Sequence, residues 1–297
     1  MNWNSRMEVQ CISNERAILG ESPIWSKDEN AIYWVDIIGK KLLRTTLENK
    51  TTITWELPSC PGMIALRTRG GLVIALEDGL HEFQPKSGEL QLLVELEADI
   101  PDNRPNDGKC DAVGRLWLGT MNKIDANRKT GSLYRIDPDL TITTIATQYR
   151  VPNGIAWSPK NDFMYHTDTK EGVVWSYGFD TKTGLISNKR EYSQFKRSLS
   201  GVVDGAAVDM KGGYWSAMYG GGYIRRTLSS GEVHSDFRLP VTQPTMPAFG
   251  GLDMKTLYIT TAQQKLSDQE LAEQPMAGSL LALHTSFQGT PVYSFGG

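Results

Sequence analysis

The sequence predicts an all-β protein folded as a six-bladed β-propeller, and three observations support this fold class. Six short segments rich in aromatic and β-branched residues begin at intervals of 40 to 51 residues along the 297-residue chain. Each segment is followed by a second strand-like run, and several of these runs lead into a glycine-containing turn of the hairpin type. Long stretches with helical periodicity are almost absent.

The first strand of each repeat shows the pattern most clearly. These segments are Ala31–Asp36, Gly71–Leu76, Arg115–Thr120, Asp162–Asp168, Gly213–Met218 and Thr256–Thr261. The second runs are Lys41–Arg44, Gly79–Phe83, Ser132–Ile136, Val173–Tyr177, Tyr223–Arg226 and Ser279–Leu283. One small sheet cannot bury both of its faces alone, whereas sheets stacked in a ring bury their faces against each other. A large β-sandwich is the alternative, but the near-constant repeat length argues against it.

The whole chain, residues 1–297, is expected to form a single propeller domain in which an N-terminal strand closes the last blade. We expect Met7–Ile12 to pair near Pro291–Phe295 for this purpose. One short helix or turn is predicted over Ser267–Gln274. Its first residue and Glu270 match a capping box, and a proline follows the segment.

Charge and cysteine content exclude several classes of function. The 31 basic and 34 acidic residues are well mixed and give a net charge of −3, which disfavours nucleic acid as a partner. No apolar run is long enough for a transmembrane helix, and the first residues lack the pattern of a secretory signal. Three scattered cysteines fit neither a disulfide framework nor a zinc ribbon. We therefore expect a cytoplasmic protein that acts on a small molecule, and a propeller needs no partner chain to close.

The chemistry is expected at polar residues that stand beside glycine and proline near the starts of the repeats. The common hydrolase motifs, such as Gly-x-Ser-x-Gly and His-Glu-x-x-His, are absent. Four polar motifs occur instead: Leu19–Trp25, Arg104–Lys109, Val151–Trp157 and Val203–Asp209. Equivalent positions in successive blades converge on the axis of a propeller, so one side chain from each motif is expected at the same mouth of the channel. These four side chains are Glu21, Asn106, Asn153 and Asp204.

Such a cluster offers carboxylate and amide oxygens only, which suit a hard divalent cation such as Ca²⁺, Mg²⁺ or Mn²⁺. Zn²⁺ is less favoured because nitrogen and sulfur ligands are missing. Two buried acids also repel each other unless a cation neutralises them. The alternative is that the Asn-Gly and Asp-Gly pairs only form turns. Four such sites at similar places in the repeats favour a functional cluster.

These motifs resemble those of the senescence-marker/gluconolactonase family, which contains regucalcin-like sugar lactonases. The resemblance covers nearly the whole chain, and its most specific part is Arg104–Lys109 followed by Gly114–Met121. Gly20–Trp25, Pro152–Gly154 and Asp204–Gly205 also match the family pattern. The family fold is a six-bladed propeller, in agreement with the repeat count.

The resemblance implies a metal-dependent lactonase that hydrolyses a sugar aldonolactone to the aldonic acid. By motif, Glu21, Asn153 and Asp204 hold one divalent metal ion, which is Ca, Mg, Mn, Zn or Fe. Arg104 and Asn106 are implied to contact the substrate. Asp204 inherits the role of general base. The metal would polarise the lactone carbonyl.

One position departs from the family pattern. Regucalcin-like members carry a sugar-contacting Glu shortly after Gly-Thr-Met, whereas this chain has Ile124 there. We therefore expect the substrate to differ. The neighbouring Lys123 is either a contact for an anionic group of the substrate or a solvated loop residue.

Two other functions stay open at this point. One is metal-dependent hydrolysis of a phosphotriester or aryl ester on the same scaffold. The other is a non-catalytic calcium-binding propeller. The pair of Arg104 and Asn106 beside the acids favours a hydroxyl-rich substrate over both.

Overall fold

The computed structural model describes residues 8–195 and 201–297. In these ranges 24 strands form six four-stranded sheets, in which neighbouring strands pair antiparallel. The first strands of the six sheets contact one another in a ring, so each sheet is one blade and its first strand faces the central channel. This arrangement confirms the predicted all-β, six-bladed propeller.

The strands follow the chain from blade to blade. Blade 1 contains β2 (Gly20–Ser26), β3 (Ala31–Asp36), β4 (Lys41–Thr46) and β5 (Thr52–Glu56); blade 2 contains β6 (Met63–Leu66), β7 (Leu72–Leu76), β8 (Gly79–Gln84) and β9 (Glu89–Glu95). Blade 3 contains β10 (Asn103–Cys110), β11 (Leu116–Asn122), β12 (Gly131–Ile136) and β13 (Ile142–Tyr149); blade 4 contains β14 (Pro152–Trp157), β15 (Phe163–Asp168), β16 (Val173–Asp180) and β17 (Leu185–Gln194). Blade 5 contains β18 (Val202–Val208), β19 (Tyr214–Tyr219), β20 (Tyr223–Thr227) and β21 (Val233–Arg238); blade 6 contains β22 (Pro244–Gly250), β23 (Thr256–Thr261), β24 (Leu281–His284) and β1 (Val9–Cys11).

Helix α1 (Asp268–Glu273) lies between the second and third strands of blade 6. Its N-cap is Ser267, whose side chain accepts a hydrogen bond from the backbone N–H of Glu270, while the Glu270 side chain accepts one from the N-cap backbone. The predicted capping box is therefore confirmed. Among residues 8–195 and 201–297, no helix is long and apolar enough to cross a membrane.

The N-terminal strand completes blade 6, where β1 pairs with β24 and Val9 lies opposite Leu283. The expected partner of this strand, Pro291–Phe295, was wrong, and Met7 lies outside the described residues. The third strand of the last blade leaves its outer edge open to β1, since β24 pairs with β23 on its other side. Because β1 occupies this edge, the described residues after β24 add no strand to blade 6.

The C-terminal segment crosses the end of the channel that lies away from the starts of the first strands. The backbone N–H of Thr290 donates to Val208 of blade 5, and that of Phe295 donates to Leu66 of blade 2. The Phe295 side chain is fully buried. The C-terminal segment thus links blade 5 to blade 2 and covers this end of the channel.

Six apolar clusters hold the ring together, and each lies mainly between two neighbouring blades. Aromatic residues of the second strands provide much of this contact. Trp34, Trp117 and Trp215 are fully buried; Trp117 and Trp215 are the second residues of β11 and β19, and Trp34 is the fourth residue of β3. The aromatic pattern that predicts these strands therefore reflects burial between blades.

Asp209 organises the far end of blade 5 and is fully buried. Its Oδ2 accepts hydrogen bonds from the indole N–H of Trp215 and from Nε of Arg226, both at 2.7 Å. Its Oδ1 accepts the backbone N–H groups of Lys211 and Gly213 at 2.8 and 3.0 Å. Every oxygen of this carboxylate is thus used, and the arginine is neutralised inside the protein.

Removing the Asp209 carboxylate should destabilise the fold strongly. We expect Asp209→Ala to lower the free energy of unfolding by about 3–5 kcal/mol, because the guanidinium of Arg226 would stay buried without its acid. Urea denaturation measures this change. The matched control is Asp102→Ala, which removes an exposed ion pair with Arg128 and should cost about 1 kcal/mol or less. Equal losses in the two variants would contradict the role given to Asp209.

Candidate active site

The first strands of blades 1, 3, 4 and 5 share an irregularity that lies where the polar motifs stand. Each has one more residue than its neighbouring strand over the same length, so each contains a β-bulge. The bulges lie between Glu21 and Ile24, Pro105 and Gly108, Asn153 and Ala156, and Val203 and Ala206. A bulge bends the strand and turns its side chains away from the regular alternation. The bulge thereby lets single polar side chains reach the channel from a strand whose other side chains need not be polar.

The four predicted side chains do not occupy strictly equivalent positions. Glu21 and Asn153 are the last paired residues before their bulges, whereas Asn106 and Asp204 each stand one residue later. The first pair comes from blades 1 and 4, which face each other across a six-membered ring. The structure therefore uses two kinds of bulge at this mouth of the channel.

In blades 1 and 4 the residue after the polar side chain has a positive φ, 49° at Ser22 and 67° at Gly154. The backbone of Ser22 is held by its own hydroxyl, which accepts the backbone N–H of Ile64 in the next blade at 2.9 Å. Gly154 is held by a hydrogen bond from the Tyr214 hydroxyl to its carbonyl at 2.8 Å. These contacts from neighbouring blades stabilise an uncommon backbone conformation beside each polar residue.

Two aspartates hold the chain that enters these bulges. Asp36 accepts the backbone N–H groups of Ile18 and Leu19 at 2.9 and 3.0 Å, just before Glu21. Asp168 accepts those of Arg150 and Val151 in the same way, just before Asn153. Each aspartate ends the second strand of its blade and so ties that strand to the start of the first.

A chain of hydrogen bonds links blades 3, 4 and 5 at the mouth. Asn106 Nδ2 donates to Asn153 Oδ1 at 3.0 Å and to the carbonyl of Pro152 at 2.9 Å. Asn153 Nδ2 donates to Thr169 Oγ1 at 2.8 Å, and that hydroxyl donates to the carbonyl of Val203 at 2.8 Å. The residue after Val203 is Asp204, so these bonds connect three of the four predicted residues.

The carboxylates at the mouth are in an unfavourable electrostatic environment. Removal from water, followed by the negative charges of Asp204 and Asp107, raises the pKa of Glu21 well above its usual value. Removal from water and the charge of Asp107 raise the pKa of Asp204 in the same way. Arg104 opposes both shifts, but burial lowers its own pKa despite the nearby acids. The site therefore holds more negative charge than its one arginine offsets.

Asp107 is a member of the site to which the motif analysis assigned no role. It is buried, and its Oδ2 accepts the backbone N–H of Ile155 at 3.1 Å. Burial raises the pKa of Asp107, and the charge of Lys109 opposes this shift. Lys109 in turn donates to the carbonyl of Ala206 in blade 5. The Asn-Asp-Gly-Lys motif contains this residue, but its closeness to Glu21 and Asp204 depends on the bulge.

The loop after β11 lies at the rim. Lys123 donates to the carboxylate of Glu77 from blade 2, and hydrogen bonds from Lys123 and Cys60 lower the pKa of Glu77 despite its partial burial. Lys123 is therefore neither a solvated lysine nor a free cation. The side chain of Ile124 is 70% exposed, and its backbone N–H donates to Asn122 Oδ1 at 3.1 Å.

Cavities lie along the axis and at its rim. A cavity of about 500 Å³ adjoins the polar mouth and is lined by Asn127, Arg150, Thr169, Lys170 and Val202. A smaller cavity of about 90 Å³ lies deeper in the channel and is lined on one side by the C-terminal segment. Because that segment covers the far end, the polar mouth is the side from which a ligand would enter.

Besides Asp107, whose Oδ2 accepts the backbone N–H of Ile155, the oxygen donors at the mouth are the carboxylates of Glu21 and Asp204 and the amides of Asn106 and Asn153. Nowhere in residues 8–195 and 201–297 do three or more His, Cys, Asp or Glu side chains group together as a metal site. A cation here would therefore depend on an amide oxygen as well as the two acids. The surplus of buried negative charge and the all-oxygen donor set both fit a hard divalent cation.

Comparison with known proteins adds to this geometry. The sequence model of the family described as SMP-30/Gluconolactonase/LRE-like region matches residues 19–263. The chain is 35% identical to the 6-deoxy-6-sulfogluconolactonase of Pseudomonas putida over 97% of this chain and 99% of that one. It is 31% identical to regucalcin of Gallus gallus over 99% and 100%. The crystal structure of a calcium-binding protein, regucalcin, from Agrobacterium tumefaciens superposes with a TM-score of 0.91 at 27% identity, over 98% of this chain and 97% of that one.

The bulge at Gly154 provides a test of how tightly the site is built. A Cβ at this position would lie 2.2 Å from the Tyr214 hydroxyl, in addition to requiring a positive φ. The control is Gly220→Ala, where φ is 78° and nothing lies within 4 Å of the added Cβ. The conformational cost of about 1–2 kcal/mol is common to both variants. We expect Gly154→Ala to lose at least about 1 kcal/mol more in urea denaturation, since overpacking adds to that cost. Similar losses would show that the backbone beside Asn153 is not constrained by Tyr214.

Proposed function

The chain belongs to the SMP-30/gluconolactonase/LRE-like family, and from this membership we propose that it hydrolyses a sugar aldonolactone to the aldonic acid. The observation that carries the proposal is the meeting of two acids, the buried Glu21 and the half-buried Asp204, with the guanidinium of Arg104 at the open mouth of the channel. A relative named as a lactonase covers nearly the whole chain at 35% identity. A lactone needs a base for water and donors for its oxygens, and this group of side chains contains both.

We propose that Glu21, Asn153 and Asp204 hold one divalent metal ion. Removal from water raises the pKa of both acids, Asp204 raises that of Glu21 further, and Asp107 raises both, so binding a cation would offset the cost of keeping these acids charged here. All-oxygen donors suit Ca²⁺, Mg²⁺ or Mn²⁺, and Zn²⁺ or Fe²⁺ would bind with less favourable ligands. When bound, such an ion supplies Lewis-acid polarisation of a carbonyl oxygen.

Asp204 is the proposed general base. It would take a proton from the water that attacks the lactone carbonyl and return it to the ring oxygen as that oxygen leaves. It stands one residue into the bulge of β18, and the positive charge of Arg104 acts on it. Both transfers then use one carboxylate, and the product keeps the water oxygen as its new acid group.

Arg104 and Asn106 are the proposed contacts for sugar hydroxyls. Asn106 uses Nδ2 for Asn153 and the Pro152 carbonyl, and no donor within the described part of the chain reaches its Oδ1. This oxygen is left to accept a hydroxyl. Arg104 is half-buried and uses one nitrogen on the Pro105 carbonyl, which leaves further N–H groups to donate. Together they offer one acceptor and several donors for a polyol.

The first test of the proposed activity is acid release from a panel of aldonolactones, measured by pH-stat with chelated enzyme and with each divalent cation restored. We expect Asp204→Asn to lower kcat by at least about 100-fold, the scale of a lost general base. The control variant is Asp28→Asn, at an exposed turn of blade 1, which should keep full activity. Turnover by Asp204→Asn at the wild-type rate would overturn the role of this residue. Turnover of aryl esters or phosphotriesters in place of lactones would overturn the substrate class.

The metal site has a test that does not depend on activity. A cation that binds only the folded state should raise the free energy of unfolding by about 2.7 kcal/mol at a concentration 100 times its Kd. Glu21→Gln should remove most of this gain, because it removes one of two charged ligands. Glu48→Gln, at an exposed position of blade 1, should keep it. Thermal or urea unfolding with and without Ca²⁺ or Mn²⁺ measures the difference, and an equal gain in both variants would exclude Glu21 as a ligand.

A further inference from the structure

Among the residues that the structure describes, those lining the cavity of about 500 Å³ at the polar mouth include two cations, Arg150 and Lys170, and no acid. Arg150 precedes β14, and Lys170 follows β15, so both stand at the corner of blade 4 where Asn153 enters the site. Both side chains are half-buried. Because these two side chains are positive and the neighbouring site is acidic, they would bind a different part of a ligand from the part that the acids contact.

Neither cation has an acidic partner among the residues that the structure describes. Seven arginines in those ranges form an ion pair with a carboxylate: Arg44, Arg67, Arg115, Arg128, Arg135, Arg225 and Arg226. Arg150 and Lys170 form none. A half-buried cation loses part of its hydration, and in this protein that loss is usually met by an acid. Here the open cavity leaves room for an anion from outside.

Asp168 fixes the backbone that carries both cations. One oxygen accepts the backbone N–H of Arg150 at 2.9 Å, and the other accepts that of Lys170 at 3.0 Å. Because the carboxylate is occupied by backbone groups, it is not a salt-bridge partner for either side chain. It holds the two Cα atoms near each other across the corner and so makes the pair a preformed feature of the site.

The same corner of blade 4 also sets the distance between these two cations and the proposed reaction centre. Thr169, next to Lys170, accepts from Asn153 and lines the same cavity. Arg150 lies three residues before Asn153, which corresponds to about 10 Å of extended chain. A six-carbon sugar acid could therefore place its lactone carbonyl at the acids and its far end at the cations.

The other cations near the mouth do not serve this purpose. Lys123 is paired with Glu77, and Arg104 faces Glu21 and Asp204. An anionic group placed at the acids themselves would be repelled by them. The position in the cavity that favours negative charge is therefore the one between Arg150 and Lys170.

We propose that the substrate is an aldonolactone with an anionic group, such as a phosphate or a sulfonate, at the end remote from the lactone carbonyl, and that Arg150 and Lys170 bind this group. The inference rests on the proposed lactonase function and adds the class of its substrate. The two side chains act as specificity-determining residues: they contact the substrate but take no part in the proton transfers. Ile124 does not line this cavity, so the missing family Glu plays no role in it.

The test compares one aldonolactone in four forms, with a hydroxyl, a carboxylate, a sulfonate or a phosphate at its far end. The wild-type enzyme with a divalent cation should turn over at least one anionic form with kcat/KM about 10-fold or more above the neutral form. The double variant Arg150→Gln/Lys170→Gln should lose about 10- to 100-fold for that form, mainly through KM, and stay within about twofold on the neutral form. The control is Lys86→Gln/Arg190→Gln, which removes the same charge at exposed positions of blades 2 and 4.

Two results would overturn the inference. One is a wild-type enzyme that prefers the neutral lactone or does not discriminate. The other is a double variant whose loss is equal for neutral and anionic forms, which would indicate a structural role only. The ratio of the four rates also identifies which anion the pair prefers.

Calorimetric titration with the open-chain acids separates this inference from the proposed function. If no lactone is hydrolysed, but the anionic acids bind more tightly than the neutral acid and lose that difference in the double variant, anion recognition stands and the lactonase proposal fails. If the acids bind equally or not at all, both proposals fail. Lactone turnover without anion preference leaves the lactonase proposal intact and overturns the substrate class alone.

Discussion

The structure depends above all on the ability of the ring to keep several carboxylates together at one mouth of its channel. Asp204 and Asp107 raise the cost of ionising Glu21, Asp107 raises that of Asp204, and burial is the largest part of both costs. Isolated strands would move such charges apart or expose them to water. The propeller prevents this because each acid lies on a different first strand, and each strand is fixed by pairing within its own blade and by apolar contact with the next. The burial between blades thus stabilises an arrangement that is unfavourable locally.

The means by which the strands present these residues is the β-bulge. A regular strand sends alternate side chains to the same face, so a polar channel face would require a polar residue at every second position. The bulges let one or two polar residues reach the mouth while Trp25 and Trp157, a few residues later, are buried between blades. Contacts from neighbouring blades, such as the Tyr214 hydroxyl on Gly154, hold the bulges in place. The site is therefore supported by the ring as a whole and not by one blade.

Much of the fold could be predicted from the sequence, and the parts that could not have a common physical cause. The second strands are buried between blades and read as aromatic and β-branched segments, so their number and spacing predict six blades. The first strands contain Gly, Pro, Asn and Asp at their bulges, which are poor strand formers, and so the polar motifs hide strands that the structure shows to be continuous. The one-residue offset of Asn106 and Asp204 and the role of Asp107 depend on register, which is a property of pairing. The partner of β1 was missed because Pro291–Phe295 has strand character but is used to cover the channel.

The corner of blade 4 shows how binding and chemistry can be separated within one site. Asp168 fixes the approach of the chain to Asn153 and also the backbones of Arg150 and Lys170, so a single carboxylate sets the distance between the proposed metal site and the proposed anion site. The side chains at positions 150 and 170 are not needed for that backbone arrangement, since Asp168 binds only their N–H groups. They are therefore free to differ without disturbing the acids at the mouth. Substitutions at positions 150 and 170 can therefore change the charge of the substrate that is accepted. The residues that carry out the reaction keep their positions, which the bulges determine.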